Sequence, residues 1–120
     1  MKKILVVDDH PDIRKLIRIT IGRAYEVLEA EDGMTALNII RNQQPSLVVL
    51  DIMMPGDMDG LQVLDAIRAD PVLRPIKVII VSARGQAQDY KTGIERGANG
   101  YLIKPFSPIE LVNRIEELLK

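Results

Sequence analysis

Short aliphatic runs alternate five times with stretches in which apolar residues return every third or fourth position. The runs ILVV, YEVLE, LVVL, VIIV and GYLIK predict strands over roughly residues 3–7, 25–29, 47–50, 77–81 and 100–103. The intervening stretches carry Ile13, Leu16, Ile17 and Ile21, then Ala36, Leu37 and Ile40, then Leu61, Leu64 and Ile67. The last carries Ile109, Val112, Ile115 and Leu119. These spacings predict amphipathic helices. A fourth helix, over roughly 86–96, is weakly specified. It offers Ala87, Tyr90 and Ile94, contains Gly93, and is flanked by Gly85 and Gly97. An interior glycine costs about 0.5–1 kcal/mol relative to alanine, so this helix is expected to be the easiest to displace.

Regular alternation of this kind predicts an α/β fold, a doubly wound five-stranded parallel sheet covered on both faces. ILVV, LVVL and VIIV are continuously apolar, as strands buried on both faces should be. YEVLE carries glutamates and GYLIK is short, so these two belong at the edges. The strand order 2-1-3-4-5 satisfies both conditions and puts the ligand crevice between strands 1 and 3. Residues 1–120 are expected to form a single domain.

Charge and composition remove several classes of function. Lys plus Arg number 16 against 17 Asp plus Glu, for a net charge of -1. That balance gives no footprint for nucleic acid or anionic lipid. Glu110, Glu116 and Glu117 in the last helix would repel a phosphate backbone. Cysteine is absent, which excludes disulfides and thiolate metal sites. The apolar run behind Lys2 and Lys3 stops at Asp8, too soon for a signal peptide. No stretch reaches the length of a membrane span. A cytoplasmic protein that binds neither nucleic acid nor membrane is expected.

Charged residues stand where these strands end. Asp8 and Asp9 close the first run, Asp51 the third and Lys104 the fifth, followed by Pro105. Ser82 follows VIIV. Each has an ordinary alternative. The acid pair before Pro11 could complement a helix dipole, Asp51 could open a loop, Ser82 could bond backbone, and Lys104 could be solvated. Gathered at one crevice, however, adjacent carboxylates repel and favour a hard cation such as Mg²⁺. A carboxylate beside that cation is a nucleophile toward phosphorus. The hydroxyl and ammonium would hold phosphoryl oxygens. His10 is the single histidine and reads as a solvated residue at a helix start. Met53, Met54 and Met58 read as loop anchors and core, and Tyr90 and Tyr101 as partly buried aromatics.

VVDDHPDIRKLI, VVLDIMMPGDMDGLQVL, VIIVSA and GANGYLIKPF together resemble the receiver domain of bacterial two-component response regulators, over essentially the whole chain. The resemblance implies a flavodoxin-like (βα)5 fold and a phosphorylation-controlled switch. It makes Asp51 the acceptor of a phosphoryl group from a sensor histidine kinase or phosphotransfer protein. Asp9, Asp51 and the Met53 backbone carbonyl would ligate Mg²⁺ or Mn²⁺, with Asp8 acting through water. Ser82 and Lys104 would bind phosphoryl oxygens, and Tyr101 would move with Ser82. The Lys104–Pro105 bond would be cis. The signal would leave through helix 4, strand 5 and helix 5 to a downstream protein or fused output domain.

Three departures from the family pattern stand out. Ser82 replaces the commoner threonine, and the segment from Asp51 to Gly60 is one residue longer than usual. Asn99-Gly100 replaces the paired acids of the winged-helix branch. A monomer is therefore expected before phosphorylation. Two other functions compete. One is a Mg²⁺-dependent phosphatase with an aspartate nucleophile, whose DxD motif is missing because Met53 holds the second acid position. The other is a phosphate-independent interaction domain. On the leading reading the chain is no conventional enzyme and catalyses only its own phosphorylation and dephosphorylation.

Overall fold

The computed structural model of the chain describes residues 1–83 and 87–120. Elements follow in the order β1 (Lys3–Val7), α1 (Pro11–Ile21), β2 (Glu26–Ala30), α2 (Gly33–Gln43), β3 (Leu47–Asp51) and α3 (Gly60–Ala69). Then come β4 (Lys77–Ala83), α4 (Ala87–Glu95), β5 (Gly100–Lys104) and α5 (Pro108–Leu118). The strands form one parallel sheet in the order β2-β1-β3-β4-β5.

Period-two alternation divides the buried strand residues between two cores. Leu5, Val7, Val48, Leu50, Val78 and Ile80 pack with Ala36, Ile40, Val63, Leu64 and Ile67 of α2 and α3. Ile4, Val6, Leu47, Val49, Ile79 and Val81 pack on the other face with Ile17 and Ile21 of α1 and Leu111 and Ile115 of α5. The central strands have no solvent-facing side and need continuous apolar runs.

Strand ends extend beyond the apolar runs because pairing does not stop at the first polar residue. Asp51 pairs with Val81, and Ala83 with Lys104. Ser82 therefore lies inside β4 opposite Ile103 rather than at its end. β2 begins and ends one residue later than expected, as Lys3 pairs with Glu26 and Val7 with Ala30. In the helices, Leu16 and Ile109 are exposed and Leu111 is buried instead. The buried stripe of α5 runs through Leu111 and Ile115, so Ile109 at the N-terminal end falls off it.

The sparse packing expected of α4 is visible in its exposed Tyr90 and Ile94. Gly93 has a role beyond its propensity cost, because a Cβ there would lie 2.7 Å from Ile80 Cδ1. The glycine lets the helix approach the sheet. Gly85, Gln86 and the Ala87 side chain lie outside the described residues. Tyr90 meets the half-buried Tyr101 edge to face, with ring centroids 5.1 Å apart. Arg68, at the end of α3, donates to the carbonyls of Gly97, Arg74 and Ile76 and to Asn99 Oδ1. Asn99 Oδ1 also accepts from the Val78 backbone, so this residue joins α3 to the start of β4.

Among the described residues no helix is long and apolar enough to cross a membrane.

Candidate functional site

Each charged group at the crevice is placed by a local device. Asp8 follows β1, and its N–H donates to the Ala30 carbonyl at 3.1 Å. Arg14 of α1 reaches back to the Asp8 carbonyl at 2.7 Å while its Nε donates to Glu29. Pro11 occupies the first turn of α1, where no N–H is needed. Asp51 ends β3, and the next residue still pairs, Ile52 N donating to the Val81 carbonyl. The chain then loops out and returns at Gly60, whose N–H donates to the Ile52 carbonyl at 3.0 Å. A side chain at Gly60 would collide with the Asp51 carbonyl oxygen, so only glycine lets α3 start this close. Asp59 and Gln62 secure that start with a reciprocal capping box. Gly56, at φ 96°, turns the long loop between Asp51 and Gly60. Met54 and Met58 pack on the core, whereas Met53 is exposed.

Lys104 ties the strand ends together. Its Nζ donates to Asp8 Oδ2 at 2.7 Å and to Asp51 Oδ2 at 3.1 Å. Its side chain is 21% exposed, while those of Asp8 and Asp51 are 3% and 6% exposed. Burial alone would discharge all three groups. For Asp51 burial prevails over the lysine, and with the neighbouring Asp8 charge it holds the carboxyl above its ordinary value. Asp8 is pushed up by burial too, but Lys104 and the His10 N–H outweigh it and hold its carboxyl below. Burial pulls Lys104 down, and the two carboxylates more than restore it, leaving it raised. The ammonium is thus firmly charged, Asp8 is the ionised anchor, and Asp51 is the carboxylate with the less stable charge.

Ser82, fully buried, lies on β4 between the strands that carry Asp51 and Lys104. Tyr101 lies further back on β5 with its ring against the α2–α3 core. The Lys104–Pro105 peptide is cis. Oxygens of Asp8, Asp9 and Asp51 lie within 4.8 Å of one another, and a ring nitrogen of His10 lies in the same group. Asp9 Oδ1 is shut off from solvent and accepts no hydrogen bond among the described residues. An orphaned carboxylate oxygen facing two others fits a divalent cation with oxygen ligands.

His10 is not simply solvated. Its side chain is 65% exposed, yet Nδ1 lies 3.0 Å from Asp8 Oδ1 and 3.1 Å from Asp9 Oδ1. Arg14 is a second residue that sequence reading passes over. It follows the acid pair by one helical turn and braces the Asp8 backbone, and the arginine spacing is the only sequence signal for it.

The chain is thus an α/β domain whose parallel sheet gathers three acids, a hydroxyl and a lysine at the crevice where such sheets bind ligands. The profile of the response regulator receiver domain matches residues 4–116, and the chain belongs to that family. It is similar to the probable transcriptional regulator ycf27 of Porphyra purpurea, 46% identical over 121 residues, covering 99% of this chain and 48% of that protein. The phosphate regulon transcriptional regulatory protein PhoB of Klebsiella pneumoniae is 38% identical over 120 residues, covering 99% of this chain and 52% of PhoB. The chain thus spans about half the length of these curated relatives. A putative response regulator from Chloroflexus aurantiacus has the same fold, with a TM-score of 0.92 and 33% identity over 98% of this chain and 97% of that one.

Proposed function

We propose that the chain is a phosphorylation-controlled switch in which Asp51 accepts a phosphoryl group from a sensor histidine kinase or a phosphotransfer protein. The observation that carries this reading is the Lys104 ammonium bridging Asp8 and Asp51 in a partly buried crevice. Asp51 attacks through a carboxylate oxygen. A P–O bond forms to it as the bond from phosphorus to the donor breaks, and the donor keeps that electron pair. The product is an acyl phosphate on Asp51.

Asp9, Asp51 and the Met53 carbonyl would hold Mg²⁺ or Mn²⁺, with Asp8 bound through water. Such an ion neutralises charge on the transferring group. Lys104, already charged, exchanges its Asp51 contact for a phosphoryl oxygen. Ser82 donates its hydroxyl to another. Loss of the Lys104–Asp51 contact and recruitment of Ser82 change the packing beside Tyr101. That residue links β5 to Tyr90 of α4. The helix is poorly anchored, so a small bias shifts its population and presents a changed α4–β5–α5 face to a downstream protein or fused output domain. On this reading the chain itself binds no DNA, is monomeric before phosphorylation, and catalyses only its own phosphorylation and dephosphorylation.

Intact-mass measurement after incubation with a small phosphodonor tests the assignment. One phosphoryl group should appear with Mg²⁺ present, none after chelation, and none on Asp51→Asn. Equal labelling of Asp51→Asn and wild type rules the assignment out.

A further inference from the structure

The three atoms Asp8 Oδ1, Asp9 Oδ1 and His10 Nδ1 lie together as one possible ligand set. His10 Nδ1 lies 3.0 Å from the first and 3.1 Å from the second. An N–H on that nitrogen can align well with only one of them. The ring nitrogen is in hydrogen-bond contact with Asp8 Oδ1, and Asp9 Oδ1 is buried with no hydrogen bond among the described residues. Without the proton, the nitrogen lone pair would face two carboxylate oxygens. A cation bound directly to Asp9 Oδ1 and His10 Nδ1, with Asp8 Oδ1 reached through its water, satisfies all three. Two ligands at right angles on a cation with bonds of about 2.1 Å lie about 3.0 Å apart, close to the 3.1 Å between His10 Nδ1 and Asp9 Oδ1.

Lys104 does not compete for this face. It takes the Oδ2 atoms of Asp8 and Asp51 and leaves the Oδ1 atoms to the other side. The Asp8 Oδ1 position is further fixed by the His10 backbone N–H at 2.9 Å. His10 is the residue before the first turn of α1, and its side chain makes no capping bond to that helix. Its ring is therefore directed to the acids by the crevice and not by the helix.

We infer that His10 is a nitrogen ligand to the cation held by the acid cluster, and that it shifts this site toward borderline divalent ions. Imidazole suits Zn²⁺, Ni²⁺ and Cu²⁺, whereas all-oxygen sites suit Mg²⁺, Ca²⁺ and Mn²⁺. His10 thus sets the metal preference of a site that the proposed function otherwise fills with Mg²⁺. The inference rests on that reading, and its test separates the two.

The chain has one histidine, so a tag-free sample labelled with ¹⁵N-histidine carries the isotope at His10 alone. Electron spin echo modulation of bound Mn²⁺ should show imidazole nitrogen coupling that changes between ¹⁴N- and ¹⁵N-histidine samples. His10→Ala should lose it. In competition against Mn²⁺, His10→Ala should weaken Zn²⁺ by about tenfold or more, the low end for loss even of an outer-shell partner, and Mg²⁺ by far less. Bound Mn²⁺ with no histidine coupling overturns the inference and leaves the cation site standing. Equal weakening of Zn²⁺ and Mg²⁺ overturns it as well. Failure of the protein to bind Mn²⁺ at all removes both the inference and the cation in the proposed function.

Discussion

Replacing Lys104 by methionine removes the ammonium and keeps an apolar stem at a position that lines a cavity with Ile13, Leu16 and Phe106. The two carboxylates it bridges, 2.7 and 3.1 Å from Nζ, are then left buried without a counter-charge. Removing one partner of a buried ion pair costs roughly 3–5 kcal/mol. Water reaches this lysine but hardly the carboxylates, so a value at the low end, about 3 kcal/mol at pH 7 without divalent cation, is expected. The pH dependence distinguishes this cause from lost packing. In the wild type, Asp8 lies below its ordinary 3.8 and contributes stability above that pH, lost as pH falls through its folded value. Asp51 lies above 3.8, so it costs stability at neutral pH and returns it as pH falls through the raised value. In Lys104→Met burial is opposed only by nearby donors such as the His10 and Met53 N–H groups, so both carboxyls rise. The deficit should therefore shrink as the pH falls from 7 toward 5, because protonation relieves the uncompensated charges. Asp51→Asn added to Lys104→Met should recover part of the loss at pH 7. Urea unfolding of the three proteins in chelator, at both pH values, measures this. A Lys104→Met midpoint equal to wild type, or a deficit that does not change with pH, refutes the reasoning.

Two further outcomes concern α4. Hydrogen exchange should find it opening more readily than β1 and β3 in the resting protein, with its protection altered on phosphorylation; protection equal to the central strands and unmoved by phosphate contradicts the switch. Gly93→Ala gains about 0.5–1 kcal/mol of helix propensity but presses on Ile80 Cδ1, so Ile80→Val, which lacks that atom, should make Gly93→Ala more favourable by about 1 kcal/mol. Additive urea-unfolding energies for the two changes would mean that the close approach does not constrain the helix.

The sheet order is readable in the sequence because hydrophobicity encodes burial on both faces. ILVV, LVVL and VIIV could only be central, and the glutamates of YEVLE only an edge. Glu29 confirms the physical reason. On β2 it is reached by Arg14 and Arg18, and the Arg18 hydrogen bond leads in holding its carboxyl below the ordinary value. Helix faces are less legible. Leu16 and Ile109 have helical spacing to buried residues, yet a stripe wide enough to include them is wider than the contact that α1 and α5 make with the sheet. Spacing gives periodicity, and the width of the contact comes from the neighbours.

The acids, serine and lysine are legible for a different reason. Polar residues that interrupt an apolar run at the same end of successive parallel strands must converge in space, whatever the rotamers. His10 and Gly93 lack any such topological mark. The histidine sits one residue beyond the acid pair, and only the fold of the β1–α1 connection decides whether its ring points to solvent or to Asp9. Gly93 looks like a defect in a helix until Ile80 is seen beneath it. Both act by contact across elements, and a one-dimensional pattern does not record which residues will touch. The two differ in kind: at Gly93 a missing atom permits an approach, whereas at Asp9 a buried oxygen with no hydrogen bond among the described residues fits a cation. That second kind of absence is the more informative, because burying a carboxylate oxygen without a donor costs free energy that an empty glycine site does not.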